Sequence, residues 1–139
     1  MNQLPASDLG FLRAFEACEL TPANFGHREH VRLAYIYLRL YSFDVALQTL
    51  RTGLQRLLAH LGAPASLYHE TITRAWLLAV SHFMNAGPPT VSSEDFLTSS
   101  AVLLDKEIML THYQRETLMS PSARGAFVEP DLEPIPRQS

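Results

Sequence analysis

The sequence predicts an all-α fold: an antiparallel helical bundle of about four main helices, followed by short C-terminal helices and an extended, proline-rich tail. Apolar residues recur three and four positions apart through most of the chain, which is the spacing of one helix face. No stretch shows the convincing apolar–polar alternation of a strand. A chain of 139 residues that is 47% hydrophobic is expected to form one domain with a real core.

The four long helices are expected to begin and end at local signals. The first should cover about 8–19, and the second should run from its cap Asn24 to about Tyr41. The third is predicted over 43–61 after the cap Ser42, and Gly62 should stop it. The fourth is predicted over 67–85 with Ser66 as its cap.

Shorter elements and a tail are expected to complete the chain. One short helix should open at Ser93, another should cover about 101–113, and a last turn should follow the cap Ser120. Residues 1–128 then form a single helical domain, and 129–139 form an extended tail. Leu132 and Ile135 are the side chains that could hold this tail against the bundle.

Charge and composition argue against two classes of partner. The formal net charge is -3 and the arginines are scattered, so no basic surface for nucleic acid is expected. The longest strongly apolar run, at 75–80, is far shorter than the roughly 20 residues of a membrane helix. Because Cys18 is the only cysteine, no internal disulfide is expected, and a reducing cytoplasm is the predicted location.

Three of the six histidines lie near the predicted starts of two helices. His27 and His30 are neighbours on the second helix, and His69 lies near the start of the fourth. A helix N-terminus disfavours imidazolium, so these rings should be neutral, the form that binds a metal or acts as a base. Short loops make consecutive helices antiparallel, so the second and fourth helices should start at the same end of the bundle. The first helix should end there too, bringing Glu16.

This predicted convergence suggests a metal or acid/base site. The expected ligands of a divalent transition metal (Zn, Fe, Mn or Ni) are His27, His30, His69 and Glu16. His69, Glu70 and Thr73 are the expected catalytic groups, and whether His112 joins them is open. The competing interpretation of each histidine is a satisfied core residue, and Glu70 on its own is expected as a first-turn dipole residue.

Three functions remain open from the sequence. The leading hypothesis is a small enzyme that acts on a small metabolite through this histidine site. The alternative is a non-catalytic module that binds a small molecule or a partner helix. A homodimer formed through an exposed helix face is the third. Arg124 has the geometry to hold a carboxylate through two hydrogen bonds, although a surface arginine is the default expectation.

Three segments of the chain resemble those of small uncharacterised bacterial all-α proteins. They are FGHREHVRLA at 25–34, YHETITRAW at 68–76 and ARGAFVEPD at 123–131. The resemblance extends from about 15 to 136. It implies a helical fold and gives weight to His27, His30, His69 and Glu70, but it implies no activity.

Overall fold

A computed structural model describes residues 4–136, and within this range the chain is helical and contains no strand. The α-helices are α1 (Ala6–Glu16), α2 (His27–Leu40), α3 (Phe43–His60), α4 (Glu70–Ala86), α5 (Ser93–Ser99), α6 (Arg115–Leu118) and α7 (Pro121–Gly125). Short 3₁₀ turns cover Pro22–Asn24, Ala65–Leu67, Ala101–Leu104 and Lys106–Thr111. The all-α prediction is confirmed. Residues 1–3 of the predicted domain and 137–139 of the predicted tail lie outside the described residues.

Several predicted helix boundaries are wrong, and local hydrogen bonds explain them. Asn24 ends a 3₁₀ turn, where its side chain accepts from the Thr21 backbone N–H at 2.6 Å. Helix α2 therefore starts later, after Gly26, whose N–H donates to the Glu29 carboxylate at 2.8 Å. Ser66 lies inside the 3₁₀ turn Ala65–Leu67 and caps no helix, so α4 starts at Glu70 instead of 67.

The predicted helix over 101–113 is also wrong. It is divided into two 3₁₀ segments at Asp105, whose side chain accepts from the Glu107 backbone N–H at 3.0 Å. An aspartate that hydrogen-bonds its own nearby backbone competes with the continuous helix. Ser42 and Ser120 cap α3 and α7 as predicted, because each hydroxyl accepts a backbone N–H of the first turn.

Helix α2 is the centre of the fold. It packs against α1, α3, α4 and α5 and against the 101–104 turn. Its side chains from Leu33 to Tyr37 are at most 2% exposed, which is the pattern of a helix covered on nearly every side. Because α2 and α4 are packed against each other along this core, the position of α4 fixes what surrounds the start of α2.

A buried charge joins α1 to α2 and α5. The Asp8 carboxylate is 1% exposed and accepts from the Ser93 backbone N–H at 2.8 Å and from the Ser93 hydroxyl. Arg32 reaches the same carboxylate at 3.2 Å while its guanidinium lies 4.3 Å from the centre of the Phe11 ring. Both carboxylate oxygens of Asp8 thus accept a hydrogen bond, which is what a buried carboxylate requires.

The C-terminal segment folds back over α4. The Thr71 hydroxyl donates to the Ala126 carbonyl at 3.0 Å and accepts from the Val128 N–H at 3.1 Å. In the tail, Ile135 is 4% exposed, so its predicted contact with the bundle is confirmed. Leu132 instead leaves its side chain 46% exposed and is held through its backbone N–H, which donates to the His112 carbonyl at 2.9 Å.

A search of residues 4–136 for a helix with the length and apolar character needed to cross a membrane finds none.

The contact between α3 and α1 leaves no room for a side chain at Gly53. A Cβ built there would lie 2.5 Å from Cε2 of Phe15, which is 1% exposed and enclosed in the core. We expect Gly53→Ala to lower the free energy of unfolding by about 2 kcal/mol, because the core must shift to accept one methyl group. Urea denaturation followed by circular dichroism measures the change.

Gly10 in α1 is the matched control. A Cβ there meets nothing within 4 Å, so Gly10→Ala should instead raise the free energy of unfolding by roughly 0.5–1 kcal/mol through helix propensity. Equal effects of the two substitutions would contradict the packing of α3 on Phe15.

Candidate functional site

A mainly apolar cavity of about 540 Å³ lies between the start of α2, the second half of α3 and the start of α4. We call it the His30 cavity. Its apolar wall is formed by Phe25, Leu54, Leu57, Leu58, Leu61, Leu67 and Ile72, and its polar side chains include His30, Tyr68, His69 and Thr73. The starts of α2 and α4 therefore meet at one cavity, as the short loops predicted, and two of the three histidines line it.

His27 does not take part in this cavity. Its Nε2 lies 2.9 Å from the Leu103 carbonyl oxygen, to which it must donate because a carbonyl can only accept. The ring packs edge-on against Trp76, with centroids 4.5 Å apart. His27 was predicted as a metal ligand beside His30, but α2 turns it toward the 101–104 segment instead.

His69 lines the cavity but uses both ring nitrogens to hold the backbone. Nδ1 accepts from the Ile72 N–H at 3.1 Å, which makes His69 the N-cap of α4. Nε2 must then carry the proton, and it donates to the Leu118 carbonyl at 2.7 Å. Burial lowers the pKa of His69, although the bond to Leu118 opposes this shift. No nitrogen is left for the metal ion or the proton transfer that were predicted for this residue.

Glu70 is fully engaged by two neighbours. Arg51 donates Nε and Nη2 to the two carboxylate oxygens at 2.8 and 2.6 Å, and the Tyr68 hydroxyl donates to Oε1 at 2.7 Å. Burial alone would raise the pKa of Glu70, but the hydrogen bonds from Arg51 and Tyr68 outweigh it, and the pKa is lowered. Glu70 is thus an ionised carboxylate that positions Arg51 and Tyr68, in contrast to the catalytic role predicted for it.

The other two predicted site residues lie apart from each other. Glu16 accepts from the Tyr37 hydroxyl at 2.8 Å in a separate cavity of about 310 Å³ that His30 and His69 do not line. Thr73 lines the His30 cavity, but its hydroxyl donates to the His69 carbonyl at 2.8 Å. Across the part of the chain that is described, no three His, Cys, Asp or Glu side chains are grouped to hold a metal ion. The predicted metal has no ligand set there.

His30 is the predicted residue whose imidazole is open to the cavity. No hydrogen bond to its ring is formed within residues 4–136, and its nearest aromatic neighbour is Phe25, with ring centroids 5.5 Å apart. Burial, with a smaller contribution from His27, lowers the pKa of His30 to about 4. At neutral pH the cavity therefore contains one neutral imidazole that can donate one hydrogen bond and accept another.

A second cavity, of about 680 Å³, lies where α7 and the following residues cross α3 and α4. We call it the arginine cavity because Arg51, Arg74 and Arg124 line it. Glu70 is the acidic member of its wall, and Tyr68 belongs to the walls of both cavities. Of these residues, only Arg124 was predicted from the sequence to bind an anion. Arg51 and Arg74 carry no sequence signal for this role, since Glu70 is paired with Arg51, 19 residues earlier in the chain.

Comparison with known proteins leaves these residues as the evidence for function. No family model matches the chain, and neither a curated protein nor a solved structure is significantly similar to it.

Because His69 forms two hydrogen bonds to the backbone, its replacement should lower the stability of the protein, and no metal is involved in this effect. His69→Ala removes the cap of α4 and the donor to Leu118, so we expect the free energy of unfolding to fall by about 2 kcal/mol. His69→Asn should lose less, since asparagine is a good N-cap. His60→Ala, at the exposed end of α3, is the control and should stay within about 0.5 kcal/mol. Urea denaturation compares them, and equal losses for His69→Ala and His60→Ala would contradict the role.

The partly buried imidazole of His30 predicts an acid-dependent loss of stability. Its pKa is about 4 in the folded chain, against 6.5 ordinarily. Between these values the unfolded chain takes up a proton that the folded chain does not, so stability falls as the pH decreases from 6.5 toward 4. The loss amounts to about 3 kcal/mol for this group.

His30→Gln should remove this part of the pH dependence, whereas the control His60→Gln should keep it. Urea denaturation at pH 7 and pH 4.5 measures the difference, and an NMR titration of the ring protons reads the pKa of His30 directly. A pKa near 6.5 for His30 in the folded protein would contradict this prediction.

Proposed function

We propose that the protein binds a small, mainly apolar organic molecule in the His30 cavity, with the His30 imidazole as its polar contact. The observation that carries this proposal is a neutral, unpaired imidazole in the wall of an otherwise apolar cavity. A volume of about 540 Å³ is within the usual range of small-molecule sites, which combine apolar walls with a few polar groups. This is the binding alternative predicted from the sequence.

An acid/base enzyme is the second candidate, with His30 as its base. It is supported by the hydroxyls of Thr73 and Tyr68 in the same cavity wall. Burial raises the pKa of Tyr68 to about 12, and the Thr73 hydroxyl opposes that shift, so Tyr68 stays protonated at neutral pH, with its hydrogen donated to Glu70 and its oxygen left as an acceptor. A general base works best when its pKa is near the working pH, and the pKa of about 4 makes His30 a weak one. Binding is therefore favoured over catalysis.

The cavity predicts saturable binding of a neutral apolar probe. N-phenyl-1-naphthylamine fluoresces more strongly in an apolar environment, so its titration into the protein should give a saturating rise in fluorescence. Ile72→Trp and Leu58→Trp place a larger side chain in the wall and should weaken binding about tenfold or more, because the space is filled. Val45→Trp, at an exposed position of α3, is the control and should bind like the wild type.

Two outcomes would contradict the proposal: no saturable signal in the wild type, or equal affinity in the cavity variants and in Val45→Trp. Circular dichroism establishes that each variant is folded.

The hydrogen bond from His30 to the ligand is tested by comparing two ligands, since 1-naphthol carries a hydroxyl that 1-methylnaphthalene lacks. The wild type should prefer 1-naphthol by about tenfold, and His30→Leu should lose that preference.

A further inference from the structure

The arginine cavity contains more positive charge than the protein itself neutralises. Of its three guanidinium groups, that of Arg51 is paired with Glu70 through two hydrogen bonds. Neither Arg74 nor Arg124 forms a salt bridge within the described part of the chain. One carboxylate among three arginines leaves the wall with two net positive charges, which favours an anion in the cavity.

Arg74 has a buried hydrogen-bond donor that is not satisfied. Its Nε is buried and has no hydrogen-bond partner, the one such buried side-chain atom among residues 4–136. Its guanidinium carbon lies 4.5 Å from the centre of the Phe127 ring, so the group is held by stacking and not by an acceptor. A buried donor on a charged group is costly without a partner, and a bound ligand is one way in which such a group is satisfied.

Arg124 is held in place by the backbone of the 65–67 turn. Its Nη1 donates to the Ser66 and Leu67 carbonyls, each at 3.2 Å. These bonds fix the guanidinium without neutralising its charge. Arg51 is likewise fixed by Glu70, so all three cations are positioned before any ligand arrives. Binding sites benefit from this arrangement because little side-chain freedom is lost on binding.

The arginine cavity and the His30 cavity adjoin each other. Tyr68 belongs to both walls. A smaller cavity of about 120 Å³ shares Gln55 and Ala65 with the arginine cavity, and it shares Leu58 and Ala63 with the His30 cavity. The three therefore follow one another along α3, from a cationic end to an apolar end. A molecule with an anionic group and an apolar part matches this order.

We propose that the arginine cavity binds the phosphate group of a small phosphate monoester whose apolar part occupies the His30 cavity. The inference rests on the proposed function and adds the class of ligand. A phosphate monoester carries about -1.5 to -2 charges at neutral pH, which matches the two net positive charges better than a carboxylate does. Its oxygens also accept paired hydrogen bonds from guanidinium groups.

Three ligands with the same chain test the anionic end: octyl phosphate, octanoate and octanol. Each is titrated as a competitor of N-phenyl-1-naphthylamine, in a buffer without phosphate, and octyl phosphate is also titrated by calorimetry. We expect affinity to fall in the order octyl phosphate, octanoate, octanol, with about tenfold or more between the first and the last. Equal competition by octyl phosphate and octanol would overturn the proposal, and octanoate binding tighter than octyl phosphate would replace phosphate by carboxylate and overturn it too.

Charge-removing variants locate the effect. Arg74→Gln and Arg124→Gln should each weaken octyl phosphate about tenfold and leave octanol within twofold. Arg13→Gln, on the exposed face of α1, is the control and should change neither affinity. Ile72→Trp should weaken octyl phosphate as well, since the chain occupies the His30 cavity. Octyl phosphate binding that is insensitive to the two arginine variants, or to Ile72→Trp, would overturn the proposal.

The failure of the two proposals can be told apart. If the neutral probe binds and the arginine variants have no effect on octyl phosphate, the His30 cavity remains a binding site and only the phosphate inference is lost. If the neutral probe does not bind to the wild type, the proposed function is lost, and the combined ligand with it. Thermal unfolding of each variant establishes that lost binding does not come from lost folding.

Discussion

Both cavities depend on the imidazole of His69. Its Nδ1 accepts the N–H of Ile72 in the first turn of α4, and its Nε2 donates to the carbonyl of Leu118, which lies 49 residues further along the chain. One ring therefore fixes where α4 begins and where the C-terminal segment meets it. The His30 cavity is bounded by the start of α4, and the arginine cavity is bounded by α4 and α7. A neutral ring protonated at Nε2 is the one form of histidine that makes both bonds.

The number and approximate positions of the long helices can be predicted from the sequence, because the apolar spacing that defines a helix is local. It also indicates that α2 and α4 start at the same end, since short loops leave few alternatives. The predicted start of α4 is wrong because Ser66 is a better cap by residue type than His69. Apolar periodicity does not show that His69, three residues after Ser66, caps the helix instead. The His69 ring is held in this position by its hydrogen bond to the Leu118 carbonyl, which is distant in the sequence.

The roles of the site residues depend on contacts that no spacing shows. His30 and His27 are neighbours on α2, yet one ring faces an apolar cavity and the other is bonded to Leu103. The arginine cavity exists only because the chain after α7 returns over α4, which places Phe127 beneath Arg74. Residues of the segments 68–76 and 123–131, which are far apart in the sequence, meet at this cavity.

Two arginines of similar burial show how structural and binding roles differ in this chain. Arg32 is partly buried, and its charge is met by Asp8, which in turn receives the Ser93 donors, so every strong group in that cluster has a partner. Such a cluster holds α1, α2 and α5 together, and its charged groups are already paired within the protein instead of being available to a ligand. Arg74 has the same kind of aromatic support, from Phe127 in place of Phe11, but its buried Nε lacks an acceptor and no carboxylate pairs with it in the described residues. Because the protein completes one cluster and leaves the other incomplete, the incomplete one is where an external anion would be stabilised most.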